Sequence, residues 1–300
     1  MLCIQGENTS MKNAKTRRLY FLLAVLLLAV ITAVFLFCLK HAAMTGGFFD
    51  EDENLKVCYF DVDQGDSALI CLPTGEAILI DTGPSYVEER LLADIRQEGV
   101  HAITYLILTH PHDDHIGGAD AVLKSFPVEH VLINGDDGDG MAITRFLDAL
   151  QDSSAVLAIA KAGQVYCCGE AVISVLGPGK TYEEENNNSL VIRIDYRNTS
   201  FLFTGDMEQQ GEADLIAQEK NLNCNVLKVG HHGSANASTD EFLKKIMPEI
   251  AVISCMRGNS HGHPDFRVLQ SLEAVNSQIY RTDRDGTVIV VSDGTTVWVE

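Results

Sequence analysis

Basic residues are scarce in this 300-residue chain: Lys and Arg number 22 against 42 Asp and Glu, for a formal net charge of −20. Non-specific affinity for nucleic-acid backbones draws mainly on Lys and Arg clusters, so this balance argues against a broad electrostatic groove. Bound metal ions can reverse the local field, which keeps nucleic acid among the substrates to consider. Eight cysteines are present, yet no two stand in Cys-x-x-Cys spacing, which speaks against a structural zinc knuckle. No fixed-period repeat, low-complexity tract or second linker interrupts residues 55–300. Long uncharged runs are also missing, with one exception near the N-terminus.

That exception is Tyr20 to Leu39, twenty residues without a charge. At ~1.5 Å per helical residue it is long enough to cross ~30 Å of hydrocarbon, and it predicts a single transmembrane helix. A cleaved signal peptide is the rival, but the run exceeds the usual apolar core of about 7–15 residues and no good small-x-small site follows. Lys12, Lys15, Arg17 and Arg18 precede the run, whereas Lys40 and Lys56 follow it, so the N-terminus is expected in the cytoplasm and the rest outside the membrane. Residues 1–40 carry +4 of the total of −20, which leaves −24 on residues 41–300. The expected organisation is a basic cytoplasmic tail at 1–19, a transmembrane helix at 20–39, an acidic linker at 40–54 and one globular domain at 55–300. Hydrophobic residues make up 46% of the chain, enough for a sizeable core.

From Leu55 the pattern turns to short apolar strands: Val57–Val62, Ser67–Leu72, Ala77–Ile80 and Ile103–Leu108, with later ones near His130–Ile133, Ala155–Ala158 and Val172–Leu176. Helices are expected over Val87–Glu98, Ala119–Phe126, Ala142–Leu150 and Asp265–Ala274. Strands in two groups, each followed by helices, suggest an α/β fold with two sheets face to face and helices outside. Cys58 and Cys71 would face one another if the first two strands form a hairpin centred on Gln64–Gly65. Two buried thiols are favoured there over a cross-strand disulfide.

The chain is organised around Thr109 to Gly118, THPHDDHIGG, at the end of the apolar run Ile103–Leu108. A buried strand ending in such a loop gathers several imidazoles and a carboxylate at one point, as a transition metal requires. On an extended loop His110 and His112 project to one side, while Asp114 and His115 lie beyond a turn and reach toward a second ion. Asp113 is given no metal role. Phe201 to Asp206, FLFTGD, delivers Asp206 at another strand end, where one carboxylate can bridge two cations. Val226 to Ser234, VLKVGHHGS, delivers His231 and His232. Neighbouring residues of an extended chain point to opposite sides, so one is expected to bind metal and the other to contact substrate or give up a proton. His231, coming directly off the strand, is taken as the ligand. Asn259 to Pro264, NSHGHP, adds His263 as a site residue, with His261 read as a surface residue. Asp81, in LIDTG, is expected to organise the loop from behind the ligands.

In this order HPHDDH, LIDTG, FTGD and HHGS resemble the metallo-β-lactamase fold superfamily. More narrowly, FDVDQGDSALI, NNNSLVIRI, FLFTGD, LKVGHHGS, NSHGHP and YRTDRDGTVIV resemble the C-terminal extracellular domain of ComEC-type competence proteins over residues 55–300. The resemblance implies an αββα sandwich of two mixed sheets flanked by helices, two divalent metal ions, zinc or manganese, and a metal-dependent nuclease acting on DNA. Asp63 stands where that family usually has Gly. Asn186 to Ser189, NNNS, occupies the place where many superfamily members supply a further histidine, so the first ion is expected on His110, His112, Asp206 and water, with Asn188 nearby. With one hydrophobic span, the chain is not expected to conduct DNA.

A cation pair lowers the pKa of a shared water toward neutrality and polarises a phosphoryl oxygen, so hydrolysis is the expected reaction. Asp114 would bind metal and orient the nucleophile, with His232 and His263 in the chemistry. The first reading is a membrane-anchored, extracytoplasmic phosphodiesterase or DNA nuclease. A cell-wall diesterase for teichoic-acid or phosphocholine esters is the second, and a non-catalytic partner of DNA-uptake machinery the third.

Overall fold

Ile78, Leu79 and Ile80 follow one another in a single strand, and all three are buried. Ile78 and Ile80 pack into one apolar cluster while Leu79 packs into another. A strand covered on both faces reads as a continuous apolar run rather than an alternating one, which is why these strands stand out in the sequence. The computed structural model describes residues 54–138, 140–218 and 222–300, all within the unit Glu53–Glu300. The expected basic tail and transmembrane helix, and nearly all of the acidic linker, lie outside the described residues. Among the described residues no helix is long and apolar enough to cross a membrane.

Among the described residues fifteen strands form two sheets, both mixed. The first has the order β15-β14-β1-β2-β3-β4-β5-β6, built from Leu55–Tyr59 (β1), Ala68–Cys71 (β2), Ala77–Ile80 (β3), Ile103–Leu108 (β4), Val128–Ile133 (β5), Val156–Ile159 (β6), Val288–Ser292 (β14) and Val297–Val299 (β15). Strands β3 to β6 run parallel and the others pair antiparallel. The second has the order β13-β12-β11-β10-β9-β8-β7, from Val165–Cys168 (β7), Ala171–Gly177 (β8), Val191–Tyr196 (β9), Thr199–Phe203 (β10), Val226–Lys228 (β11), Ile250–Ile253 (β12) and Gln278–Arg281 (β13). Here β10 to β13 are parallel.

Three apolar clusters define four layers. Val57, Ile70, Ile107, Phe201, Phe203 and Val252 fill the space between the sheets. Leu69, Leu106 and Leu108 pack outward under helices Glu88–Gln97 (α1), Ala119–Ser125 (α3) and Met141–Gln151 (α4), through Leu91, Ile95, Val122 and Phe146; a single turn, Asp113–Ile116 (α2), precedes α3. Leu202, Leu227 and Ile253 do the same under Gln209–Ala217 (α5), Asp240–Ile246 (α6) and Phe266–Ala274 (α7), and a last turn, Thr282–Asp285 (α8), precedes β14. This is the expected αββα arrangement. Its consequence for function is that the parallel strands of both sheets release their loops along one edge, where open α/β sheets bind ligands.

The first hairpin differs from the expected one. Cys58 faces Leu69, and Cys71 faces Lys56. Both thiols are free, Cys58 buried and Cys71 half-buried. The residues between β1 and β2 do not make a tight turn at Gln64–Gly65. They form a wide loop that reaches across to the loop after β4, with Asp66 N–H donating to the Asp114 carbonyl at 3.0 Å. That longer excursion moves the strand register by two residues. Within it Asp63 holds φ 61°, the left-handed conformation that favours Gly, and its carboxylate pairs with Arg90 at 3.2 Å.

Candidate metal centre

The loop after β4 is latched from below before any ligand is placed. Thr82, just past β3, donates its N–H and hydroxyl to the His115 carbonyl at 2.6 and 2.9 Å, and Gly118 N–H donates back to the Thr82 hydroxyl at 3.2 Å. Asp81 is buried at the end of β3. Its carboxylate accepts the Thr109 N–H at 2.7 Å and hydroxyl at 2.8 Å, and stands 2.8 Å from His115 Nδ1. With Nδ1–H engaged there, His115 turns Nε2 inward. The Thr109 hydroxyl, having given its proton to Asp81, accepts from His110 Nδ1 at 3.1 Å and turns His110 Nε2 inward too. Asp81 therefore engages His115 directly and His110 through Thr109, and with Asp66 and His115 it also brings donor atoms within 4.8 Å of one another.

On the inner side four side chains converge: Asp114, His115, Asp206 and His232 each bring one donor atom within 4.8 Å of the others. Asp206 Oδ1 stands 3.2 Å from His115 Nε2, and its Oδ2 lies 3.6 Å from His232 Nε2, 3.7 Å from His231 Nε2 and 3.9 Å from His110 Nε2. His232 Nε2 is also 3.2 Å from Asp114 Oδ2. Beside this cluster His110 Nε2 and His112 Nδ1 meet at 3.0 Å. His112 turns its other nitrogen to Glu185 at 3.2 Å. Asp206 thus faces both histidine groups.

The donor set fits a divalent cation. Neither His115 Nε2 nor Asp206 Oδ1 makes a hydrogen bond, though both are buried and they stand 3.2 Å apart. Buried polar atoms without partners are rare and mark a group that belongs between them. The charge pattern agrees. Burial works against charge on every one of these groups, yet Asp206, Asp114 and Asp81 raise His115 well above its ordinary value. For His232, Asp206 and Asp66 carry it up to about 10 against the same burial. Burial opposes ionisation of Asp206 and Asp114 too, but the facing imidazoles hold both carboxyls below their usual range. Burial and the charge on His115 drive His110 well below its ordinary value. His and carboxylate donors of this kind suit zinc, manganese and iron alike.

The histidine pair after β11 does not alternate as an extended strand would. His232, 2% exposed, belongs to the four-residue cluster, whereas His231 sets Nδ1 3.1 Å from Glu208 and Nε2 3.7 Å from Asp206. The reason is local: both residues take left-handed backbone angles, φ 47° and 52°, so the alternation of an extended strand does not apply. The Asn188 side chain accepts from Tyr182 N–H at 2.8 Å and donates to Tyr182 O at 3.1 Å. Ser189 takes the Asp206 N–H at 3.1 Å. His263 lies beside the pair, its ring 5.5 Å from that of His231, and burial with the neighbouring histidines lowers it to about 4. His130 stacks on Tyr105 with ring centres 5.0 Å apart, and His261 is exposed.

Two buried residues in contact with the cluster were not anticipated. Asp66 stands 3.1 Å from His232 Nδ1, and Lys228 pairs with Asp66 at 2.8 Å. Lys228 had a signal in the sequence, a lone charge inside the apolar run VLKV. Asp66, in a Gly-Asp-Ser turn, had none beyond its motif.

Fold and donor set together define a metallo-hydrolase architecture, and the chain belongs to the metallo-beta-lactamase superfamily, whose family model matches residues 60–257. Among individual proteins it is 29% identical to ComE operon protein 3 of Bacillus subtilis over 299 residues, covering 90% of this chain and 38% of that protein. It is 30% identical to Recombination protein 2 of Haemophilus influenzae, covering 77% of this chain and 28% of that one. It is 28% identical to Competence protein ComA of Neisseria gonorrhoeae over 77% of this chain and 31% of that one. The chain therefore spans about a third of the length of these curated relatives. Among solved structures, the metallo-beta-lactamase fold protein YhfI of Bacillus subtilis aligns with a TM-score of 0.54 at 13% identity, over 83% of this chain and all of that one. CmlA, a diiron beta-hydroxylase from Streptomyces venezuelae, aligns at 0.55 and 15%, over 77% of this chain and 53% of that one. Both likenesses concern the fold.

Proposed function

We propose that the protein is a two-metal phosphodiesterase acting on DNA, anchored through residues 20–39 with residues 55–300 outside the membrane. The observation that carries the reading is the placement of Asp206 between two histidine groups, His110 with His112 and His115 with His232. His110, His112 and Asp206 would hold one ion and Asp114, His115, Asp206 and His232 the other, zinc or manganese. Bound there, the ions would supply an acidified water and a polarised phosphoryl oxygen.

The protein's own groups do the rest. Asp81 and Thr109 hold two imidazoles in one tautomer each, so their Nε2 atoms need no reorganisation before they act as donors. Asp114, one-third exposed and bonded to His232, is the more exposed carboxylate of the four-residue cluster and would orient a nucleophile. His263 stays neutral at physiological pH and offers one N–H at the rim, where a phosphoryl oxygen would arrive. His231, also at the rim, is the better placed of the histidine pair to meet a leaving group. The competence and recombination names of the relatives favour DNA over other diesters. The acidity of residues 41–300 favours engagement of a short stretch of strand at the ions rather than along a basic groove.

Hydrolysis of bis-p-nitrophenyl phosphate and of single-stranded DNA by the purified chain in Mn²⁺ or Zn²⁺, with His112→Ala as control, tests the reading. Cleavage of both, lost in the variant, supports it. Cleavage of the small diester alone redirects the substrate to cell-wall phosphodiesters. A well-folded protein that takes up no metal would favour a binding role in DNA uptake and sink the enzyme.

A further inference from the structure

Two imidazoles of the four-residue cluster each carry a buried carboxylate on the outer nitrogen. For His115 it is Asp81; for His232 it is Asp66, whose Oδ1 stands 3.1 Å from Nδ1 as an ion pair without a hydrogen bond of its own, while the Nδ1 hydrogen bond goes to the Ser254 carbonyl at 3.1 Å. Asp66 is 5% exposed and Lys228 3%. Lys228 Nζ sits 2.8 Å from Asp66 Oδ2 and donates to the Val229 carbonyl at 2.9 Å. Asp66 is further pinned through its backbone, donating to Asp114 O at 3.0 Å and accepting from Gly83 N–H at 2.8 Å. Removing two ions from water costs several kcal/mol each, and an apolar pair of the same shape often serves stability equally well. A stability role alone therefore does not account for this pair, whereas contact with a ligand imidazole does.

We propose that Asp66, paired with Lys228, is a positioning residue for His232: beside the Ser254 carbonyl that engages Nδ1, its buried carboxylate sets a negative charge 3.1 Å from the same nitrogen and holds the ring so that Nε2 faces Asp114 and Asp206 as a donor to a divalent cation. The carboxylate makes that nitrogen more basic, and the ammonium keeps the carboxylate from entering the coordination set itself. The inference rests on the reading of the cluster as a metal site.

The test uses the full chain loaded with ¹¹³Cd²⁺, read by its cadmium resonances and by chelator competition. The resonance lost in His232→Ala identifies the affected position. In Asp66→Ala that resonance shifts and its affinity drops about 10–100-fold, while any other bound ion keeps its shift and affinity. The double variant Asp66→Leu/Lys228→Met removes both buried charges together. Its melting temperature, measured without metal, returns toward that of the parent, and the weakened affinity persists. Recovery of affinity along with stability would assign the pair a structural role and overturn the inference, as would an Asp66→Ala resonance and affinity matching the parent. No cadmium bound by the parent chain would instead count against the metal site itself.

Discussion

His115 Nδ1 stands 2.8 Å from Asp81 Oδ2, and both residues are almost wholly buried. Asp81 spends its other contacts on Thr109, so one carboxylate sets the entry of the metal-binding loop and the tautomer of a donor within it. Asp81→Ala is expected to weaken metal binding by about 10–100-fold and to lower stability through the unpaired Thr109 N–H. Chelator competition with the purified variant measures the first effect, and an affinity within twofold of the parent would refute the orienting role.

Asp206 contacts more of the histidine set than any other carboxylate in the cluster. Removing it should disturb both halves of the site, in contrast to His112→Ala, which touches one. Asp206→Ala is expected to lose or scramble both ions, with residual hydrolysis of a few per cent at most. Metal content by elemental analysis, taken with the rate, checks this. Activity well above that level would show that the carboxylate does not bridge.

Gly65 takes φ 154°, and a Cβ built there would overlap the Asp114 carbonyl oxygen and Pro84. Both obstacles are rigid, so the loop or its neighbour must give. Gly65→Ala is expected to cost about 1–3 kcal/mol of stability. It should also displace Asp114, so catalysis falls further than stability alone requires. Urea unfolding alongside kinetics of the folded fraction separates the two, and full activity in the folded fraction would place Gly65 outside the site.

The strands were legible because burial on both faces gives uninterrupted apolar runs: Ala77–Ile80 and Ile103–Leu108 read correctly to the residue. The ligand loop was legible because three histidines and two aspartates in six residues have few other uses. What escaped was geometry that depends on backbone angles or on distant partners. His231 and His232 were distinguished only by two left-handed residues in succession. Asn188 was aligned with a ligand position, but its amide serves Tyr182. Cys58 and Cys71 missed each other because the intervening loop is drawn toward Asp114. The pairing of Asp66 with Lys228 joins residues 162 positions apart, and no local pattern encodes it.

The anchoring assignment has its own test. A phosphatase reporter active only outside the cytoplasm should be silent when fused before Lys12 and active when fused after Lys56. Equal cytoplasmic signals from both fusions would remove the membrane helix from the proposal.

Protons and metal ions compete for the same atoms, and this gives the protein a pH-dependent stability whose sign is set by the imidazoles. His115 and His232 bind protons more tightly folded than unfolded, His232 with a value near 10. In the metal-free protein their ion pairs with Asp206, Asp114 and Asp66 are fully present at the ordinary imidazole value of 6.5, and they fade as pH rises through the folded values, about 10 for His232. Asp206 and Asp114 have lowered values and stay ionised over this range, so they add no slope of their own. Chelated protein should therefore melt at progressively lower temperature from pH 6.5 to 9. Metal binding has the opposite slope, because each bound imidazole must first release its proton. The gain in melting temperature on adding Mn²⁺ should widen across the same interval, and binding at pH 7.5 should release protons. Calorimetry in buffers of different ionisation enthalpy counts those protons. A release near zero, with a metal-induced gain that does not change with pH, would mean that the two imidazoles are neutral in the metal-free protein and that the buried carboxylates do not govern them.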